Sequence, residues 1–262
     1  MRTIKSIKEK LNCPQCRSSA NFIKRFHDRN DLNKLKYPLY KCPECKLYFF
    51  NRDHYDQQIY KDYKLSTSDP KPRHKLFSKL ISKTCRKGNI LEIGAGEAHI
   101  LQFLDNNQYN FSVIDYQKPV SLPKNTDFYH GGVDDVSDNL FHDKHFNLVI
   151  MDNLIEHLSN PQNVIQKISK WVVNGGYICV SVPNRWNLKN FLTLEPNKEF
   201  YHPWEHVNIF TKTSLNYLFY SNNYKLVKRW ISPYDIFSVF NISSLIGLPI
   251  FGIYFLYQKS NK

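Results

Sequence analysis

The chain has 262 residues, of which 42% are hydrophobic, and it carries 36 Lys and Arg against 23 Asp and Glu. This length and apolar content are typical of one full domain with a small appendage, and they exclude a chain that is mainly disordered. The opening stretch MRTIKSIKEKLN is too polar for a secretory signal, so we expect a cytoplasmic protein.

The net charge of +13 is concentrated in the first third of the chain. Residues 1–90 hold 22 Lys and Arg against 8 Asp and Glu, and the remainder is almost neutral. This segregation favours a neutral domain preceded by a basic module that could face a nucleic acid, a phosphorylated substrate or an anionic membrane surface. A basic surface that is merely solvated is the alternative.

Four of the six cysteines occur in two matched CPxC turns. The thiols of these turns belong to Cys13, Cys16, Cys42 and Cys45. Their spacing predicts a zinc ribbon, in which each turn directs two thiolates at one ion, and a pair of disulfides is the alternative. Four sulfur ligands leave no open position, so the predicted zinc is structural. It would supply most of the folding free energy of so short a segment, on the order of 10 kcal/mol.

Apolar runs alternate with amphipathic stretches from Asn89 onward. The apolar runs include NILEIG, FSVID, FNLVIM and YICVSV, and HILQFLDN and VIQKISKWVV lie between them. This alternation predicts a doubly wound, mostly parallel sheet with helices on both faces. Ahead of it, residues 69–88 show helical spacing and end at a glycine, which predicts one preceding helix. Cys85 and Cys179 stand alone in apolar segments and are predicted to be buried.

The stretch ILEIGAGEA places Glu92, Gly94 and Gly96 at the first strand-to-helix turn, where ligands of such sheets lie against the backbone. A dinucleotide is disfavoured because His99 occupies the third glycine position of its fingerprint and because Glu92 would repel a pyrophosphate. A cationic ligand suits the carboxylate, and S-adenosylmethionine carries both an ammonium and a sulfonium group. Its ribose is expected at an acid after the second strand, where Asp115 lies 19 residues beyond Gly96.

On these residues the chain resembles the class I S-adenosylmethionine-dependent methyltransferases, within the branch that includes quinone-ring and polysaccharide-type enzymes. The resemblance covers residues 89 to about 258 and extends through the turn GGVDDV and the stretch FNLVIMDNLIEHLSNP. It implies a Rossmann-like, seven-stranded sheet whose last two strands are YKLVKRWI and IFGIYFLYQ. It also implies that Asp115 holds the ribose, that Asp134 meets the adenine and that Met151 closes over the ring. The residues implied for cofactor binding are Glu92, Gly94, Gly96, Asp115, Val133, Asp134 and Met151.

Methyl transfer from a sulfonium requires alignment of the acceptor and, for an oxygen or nitrogen acceptor, removal of a proton. The resemblance makes His157 the leading candidate for the catalytic base, with Glu156 beside it. Relatives that bind a metal here use a carboxylate three residues before that glutamate, and because Asn153 occupies this position we predict no catalytic metal. In the alternative interpretation, Glu156 and His157 only brace the turn after the fourth strand.

The segment YHPWEHVNIF follows the fifth strand, on the side of such sheets where acceptors bind. Its EHVNIFT portion resembles a signature of the family, which implies that His202 and Glu205 are candidate acceptor-pocket residues and that His206 is a further catalytic candidate. Aromatic packing of a lid is the alternative. The apolar tail could contact a membrane surface, but its uninterrupted run is shorter than the ~20 residues of a spanning helix.

The predicted organisation is a zinc ribbon at residues 1–50, a linker and helix at 51–88, and a methyltransferase domain at 89–262. The leading hypothesis is a methyltransferase that acts on a small or carrier-linked molecule, with a sugar or cell-surface precursor favoured by the branch resemblance. One alternative is an RNA methyltransferase that grips phosphates through basic residues 1–90 and stacks bases on ribbon aromatics. Another is a non-catalytic cofactor-binding module with a protein partner.

Overall fold

The computed structural model describes residues 10–27, 36–51, 69–183, 206–231 and 253–261. The strands in these ranges are β1 (Lys10–Asn12), β2 (Ser19–His27), β3 (Lys36–Lys41), β4 (Tyr48–Phe50), β5 (Gly88–Ile93), β6 (Tyr109–Asp115), β7 (Asp127–His130), β8 (Phe146–Asp152), β9 (Val172–Val182), β10 (Asn208–Ile209), β11 (Tyr224–Ile231) and β12 (Ile253–Lys259). The α-helices are α1 (Pro72–Thr84), α2 (Pro161–Trp171) and α3 (Lys212–Tyr220), and 3-10 turns occupy Leu101–Phe103 and Ile155–His157.

The chain divides into two compact units that do not follow a single cut in the sequence. The first unit comprises Met1–Asp56, Glu156–Gln162 and Arg185–Leu218. The second unit comprises Gln57–Ile155, Asn163–Asn184 and Phe219–Lys262. The first unit therefore includes two segments that the sequence analysis assigned to the methyltransferase domain.

The first unit contains a five-stranded sheet in the order β1-β2-β3-β4-β10, and each neighbouring pair is antiparallel. Its fifth strand comes from the distant segment, because Asn208 and Ile209 pair with Phe49 and Tyr48. The amide of Phe50 also donates to the carbonyl of Val207 at 3.0 Å. These main-chain hydrogen bonds explain why Asn208 and Ile209 belong to the first unit.

The second unit contains a seven-stranded sheet in the order β11-β12-β9-β8-β5-β6-β7. Strands β9, β8, β5, β6 and β7 pair in parallel, while β12 is antiparallel to both β9 and β11. The predicted Rossmann-like fold class is therefore confirmed, as are the two final strands, the second of which is described from Ile253 onward. Central strands β5 and β8 are buried over most of their lengths, which explains why they consist of continuous apolar runs.

Helix α1 packs its apolar face into the core of the second unit. Phe77 is buried there, and its ring centroid lies 4.6 Å from that of Tyr254. Cys85 and Cys179 are buried in the same core, as predicted. Burial raises the pKa of the Cys179 thiol well above its usual value, so this cysteine is an inert core residue.

The amphipathic stretch after the glycine turn forms only the 3-10 turn Leu101–Phe103, where the sequence pattern predicted a helix. The local hydrogen bonds give the reason. Asp105 accepts from the Asn107 amide through its side chain and from the Gln108 amide through its carbonyl, so a turn competes with helix extension. In the part of the chain that the structure describes, no helix has the length and apolar character needed to cross a bilayer.

Candidate functional site

The glycine turn directly follows β5 in the second unit. Gly94 and Gly96 have φ values of 66° and 54°, in the left-handed region that favours glycine. The Gly94 amide donates to the carbonyl of Ile114 at 2.9 Å, which holds the turn against β6. A Cβ atom on Gly94 would lie only 2.9 Å from Cδ1 of Leu154, so a larger residue would displace its neighbour.

Asp115 ends β6 and joins the glycine turn through its side chain. Its Oδ2 accepts from the Gly96 amide at 3.0 Å, and its Oδ1 accepts from the Gln117 amide at 3.1 Å. Burial raises the pKa of this carboxyl, while the backbone donors oppose the shift. Each carboxylate oxygen has further acceptor capacity, so hydroxyl groups could bind beside these amides. Binding of the ribose by Asp115 stays a prediction.

Glu92 lies in β5 immediately before the turn, and its side chain is only 2% exposed. Its Oε2 has no hydrogen-bond partner among the described residues. Burial raises the pKa of Glu92 well above its usual value, and Asp152 and Asp115 add to the shift. A buried acid among other acids is compensated best by a nearby cation. These features fit a ligand with a sulfonium and an ammonium group.

The turn GGVDDV carries the residues expected near the adenine. Val133 is buried and Asp134 is exposed, while Met151 is wholly buried in β8. Contact of these three residues with an adenine ring stays a prediction. Lys167 on α2 donates to the carbonyls of Val133 and Val136 at 3.1 and 2.8 Å, and so fixes the turn. The sequence analysis missed Lys167, because nothing in its local pattern links it to a turn some thirty residues earlier.

Asp152, at the end of β8, is bound by Arg73 and Ser181, and the sequence analysis did not identify these contacts. Nη2 of Arg73 lies 3.5 Å from its Oδ2, and Ser181 donates a hydrogen bond to its Oδ1. Arg73 also donates to the hydroxyl of Tyr254. The guanidinium therefore balances one of the two carboxylates that raise the pKa of Glu92.

The four predicted zinc ligands lie together in the first unit. The sulfurs of Cys13 and Cys45 are 3.5 Å apart, and those of Cys16 and Cys42 are 3.4 Å apart. Sulfur ligands of a tetrahedral zinc ion lie about 3.8 Å apart, given a Zn–S distance of about 2.3 Å. The turns have matching backbones, because the Cys13 amide donates to the carbonyl of Ser18 and the Cys42 amide to that of Leu47. This donor set fits a structural zinc ion.

The three predicted catalytic residues also lie together, in the first unit. Their ligand-type atoms all lie within 4.8 Å of one another. Glu156 is only 2% exposed, and its Oε1 is 3.9 Å from Nε2 of His157. The ring centroids of His157 and His206 are 4.8 Å apart. The acceptor-pocket candidates His202 and Glu205 lie outside the described residues.

Solved structures with this fold include three methyltransferases. The 1,6-didemethyltoxoflavin-N1-methyltransferase of Burkholderia thailandensis, solved with bound 1,6-didemethyltoxoflavin and S-adenosylhomocysteine, has a TM-score of 0.53 and 10% identity, with 91% of this chain and 100% of that chain covered. The plantazolicin methyltransferase BpumL with S-adenosylhomocysteine has a TM-score of 0.51 and 16% identity, covering 72% and 82%. The N-methyltransferase NodS of Bradyrhizobium japonicum WM9 with the same ligand has a TM-score of 0.50 and 12% identity, covering 78% and 96%.

A search of curated protein sequences found no match. The family described as "Methyltransferase domain" matches residues 53–229, which is more than half of the chain. This range contains the glycine turn, Asp115 and the turn that Lys167 fixes. This chain therefore belongs to the methyltransferase domain family and is an S-adenosylmethionine-dependent methyltransferase.

Proposed function

We propose that this methyltransferase acts on a small or carrier-linked molecule, with a sugar or another cell-surface precursor favoured. Binding of S-adenosylmethionine is supported by one observation. Glu92 is buried next to the glycine turn, and the Gly96 amide of that turn donates to the Asp115 carboxylate. A small-molecule acceptor is supported by the structural neighbours, since one of them was solved with the small molecule 1,6-didemethyltoxoflavin. The preference for a sugar rests on the branch resemblance of the sequence.

In the proposed reaction the acceptor atom forms a bond to the methyl carbon while the carbon–sulfur bond breaks. The bonding electrons stay on sulfur, which yields S-adenosylhomocysteine. A hydroxyl or amine acceptor must also lose a proton, and His157 is the first candidate to receive it. The Glu156 carboxylate, 3.9 Å away, could balance the charge that the imidazole then acquires, and His206 completes the group.

The ribbon is proposed to bind one structural zinc ion through Cys13, Cys16, Cys42 and Cys45. Binding of RNA by the basic surface of the ribbon is a weaker proposal than binding of a phosphate on the acceptor or on its carrier. The ribbon aromatics Tyr37, Tyr40, Phe49 and Phe50 are at most 5% exposed and offer no surface on which bases could stack. Phe22 and Tyr48 are half-buried, so they offer only part of their rings. Exposed cations such as Lys24, Arg25 and Lys46 suit a phosphate on the acceptor or on its carrier.

A labelling experiment tests this function. Purified protein is incubated with methyl-labelled S-adenosylmethionine and a cell extract, and label is followed into RNA, lipid and soluble small-molecule fractions. A Gly96→Asp variant serves as the blank, because its carboxylate would stand beside Asp115. Label in the small-molecule or lipid-carrier fraction supports the proposal. Nuclease-sensitive label would instead show an RNA methyltransferase, and no label above the blank would favour a non-catalytic module.

A further inference from the structure

Two separate segments of the sequence supply one group of titratable side chains in the first unit. Glu156 and His157 lie in the 3-10 turn Ile155–His157, and His206 stands two residues before β10. The side-chain amide of Asn208, itself buried, donates to the carbonyl of Leu158 at 2.7 Å. This hydrogen bond fastens the segment after His157 to the segment after His206.

The composition of this group matches a known class of metal site. Two imidazoles and one carboxylate are the protein ligands of many catalytic zinc sites and of other divalent transition-metal sites that keep open positions. The distance of 3.9 Å between Glu156 Oε1 and His157 Nε2 is too long for a hydrogen bond. Ligand atoms on one zinc ion lie roughly 3 to 3.5 Å apart, so small side-chain rotations would close the set.

The charge of the group points the same way. Glu156 is 2% exposed, and an ionised carboxylate buried to this degree requires a compensating positive charge. A divalent ion held by all three side chains would supply such a charge. The imidazole of His157 is 18% exposed, which leaves access for water or another ligand.

We propose that Glu156, His157 and His206 bind a divalent transition-metal ion, with zinc as the ion to test, at a second site separate from the four cysteines. His206 replaces the carboxylate that Asn153 does not supply. Three protein ligands leave at least one position open. If the proposed function holds, an acceptor oxygen would occupy that position, and the ion would stabilise the anion that forms when the acceptor loses its proton to solvent. The two imidazoles would then act as ligands, and this role would replace the one proposed above for His157 as the proton acceptor.

Metal content tests the proposal without any acceptor. Tag-free, full-length protein is saturated with zinc, desalted and analysed by elemental mass spectrometry. The His206→Ala variant should contain one zinc ion fewer per chain than the wild type. The matched control His142→Ala, which removes an exposed histidine of the second unit, should keep the wild-type content. Equal zinc content in wild type and His206→Ala would overturn the proposal.

A second measurement separates this site from the cysteines. Cobalt bound by thiolates gives strong sulfur-to-metal charge-transfer absorption, which nitrogen and oxygen ligands do not give. The cobalt that is lost in His206→Ala and in Glu156→Gln should show visible bands without that absorption, and each variant should bind this ion at least tenfold more weakly. A lost ion that carries sulfur charge transfer in both variants would belong to the cysteine site and would overturn the proposal. Methyl transfer is measured separately, so failure of the proposed function leaves this result intact.

Discussion

The Gly96 amide donates to Oδ2 of Asp115 over 3.0 Å, which joins the turn after β5 to the end of β6. The carboxylate thus has two roles, because it orders the glycine turn and is also predicted to receive the ribose. Replacement of this side chain should therefore affect both the shape of the turn and its ligand.

Asp115→Ala should weaken binding of S-adenosylmethionine by about 1.5 to 3 kcal/mol, the range for hydrogen bonds to a charged group. This corresponds to roughly 10- to 150-fold in Kd, measured by isothermal titration calorimetry. Asp143→Ala, which removes a 93% exposed carboxylate, is the control and should bind normally. Unchanged affinity of the Asp115 variant would show that the ribose lies elsewhere.

Binding of S-adenosylmethionine should release a proton from Glu92. The pKa of this acid is raised by burial and by Asp152 and Asp115, so the ligand-free protein holds a proton where an exposed glutamate is ionised. A cationic ligand favours the carboxylate, and affinity should therefore rise with pH until it levels off above the raised pKa. Calorimetry in buffers of different ionisation enthalpy measures the released proton.

Glu92→Gln is the matched variant for this experiment, because it keeps the shape and removes the titration. It should bind more weakly, release no proton and show no pH dependence over the same range. Proton release equal to that of the wild type would assign the titration to another group.

Lys167→Met should loosen the turn that carries Val133, because the Lys167 ammonium donates to two of its carbonyls. The variant loses both hydrogen bonds, which should cost about 1 to 2 kcal/mol, or roughly 5- to 30-fold in affinity for S-adenosylmethionine. Lys170→Met is the control, since Lys170 is 63% exposed and its ion pair is with Asp138. Equal affinities of the two variants would contradict a role for Lys167 in the site.

Cys42→Ser should release the ribbon zinc and unfold the ribbon sheet, while the cofactor still binds in the second unit. Metal analysis and calorimetry on the same sample measure both effects. Cys85→Ser alters a buried thiol of the second unit and should keep the ribbon zinc. A collapse of cofactor affinity in the Cys42 variant would show that the two units depend on each other.

Local patterns in the sequence predicted those features whose residues are close together along the chain. The paired CPxC turns, the glycine turn and the acid that follows the second strand each occupy a few adjacent residues, and the structure brings Asp115 to the turn and the four thiols together. The mostly parallel sheet followed from apolar runs, because strands buried on both faces leave little room for polar residues.

Features that depend on tertiary contacts could not be predicted in this way. Lys167 reaches a turn on another segment, and His206 joins Glu156 only after the chain has folded. The prediction of a helix after the glycine turn was also wrong. Only the 3-10 turn Leu101–Phe103 forms there, because Asp105 accepts hydrogen bonds that favour a turn. Each of these depends on geometry rather than on spacing along the chain.

The pairing of β4 with Asn208–Ile209 makes the ribbon a poor target for truncation. Removal of residues 1–50 would take away β4 and leave β10 with an open edge, next to the residue that supplies a proposed metal ligand. A truncated protein could thus lose activity even if the basic surface had no role. The charge of the ribbon is better examined by replacing exposed lysines and arginines one by one, with the backbone of the ribbon left whole.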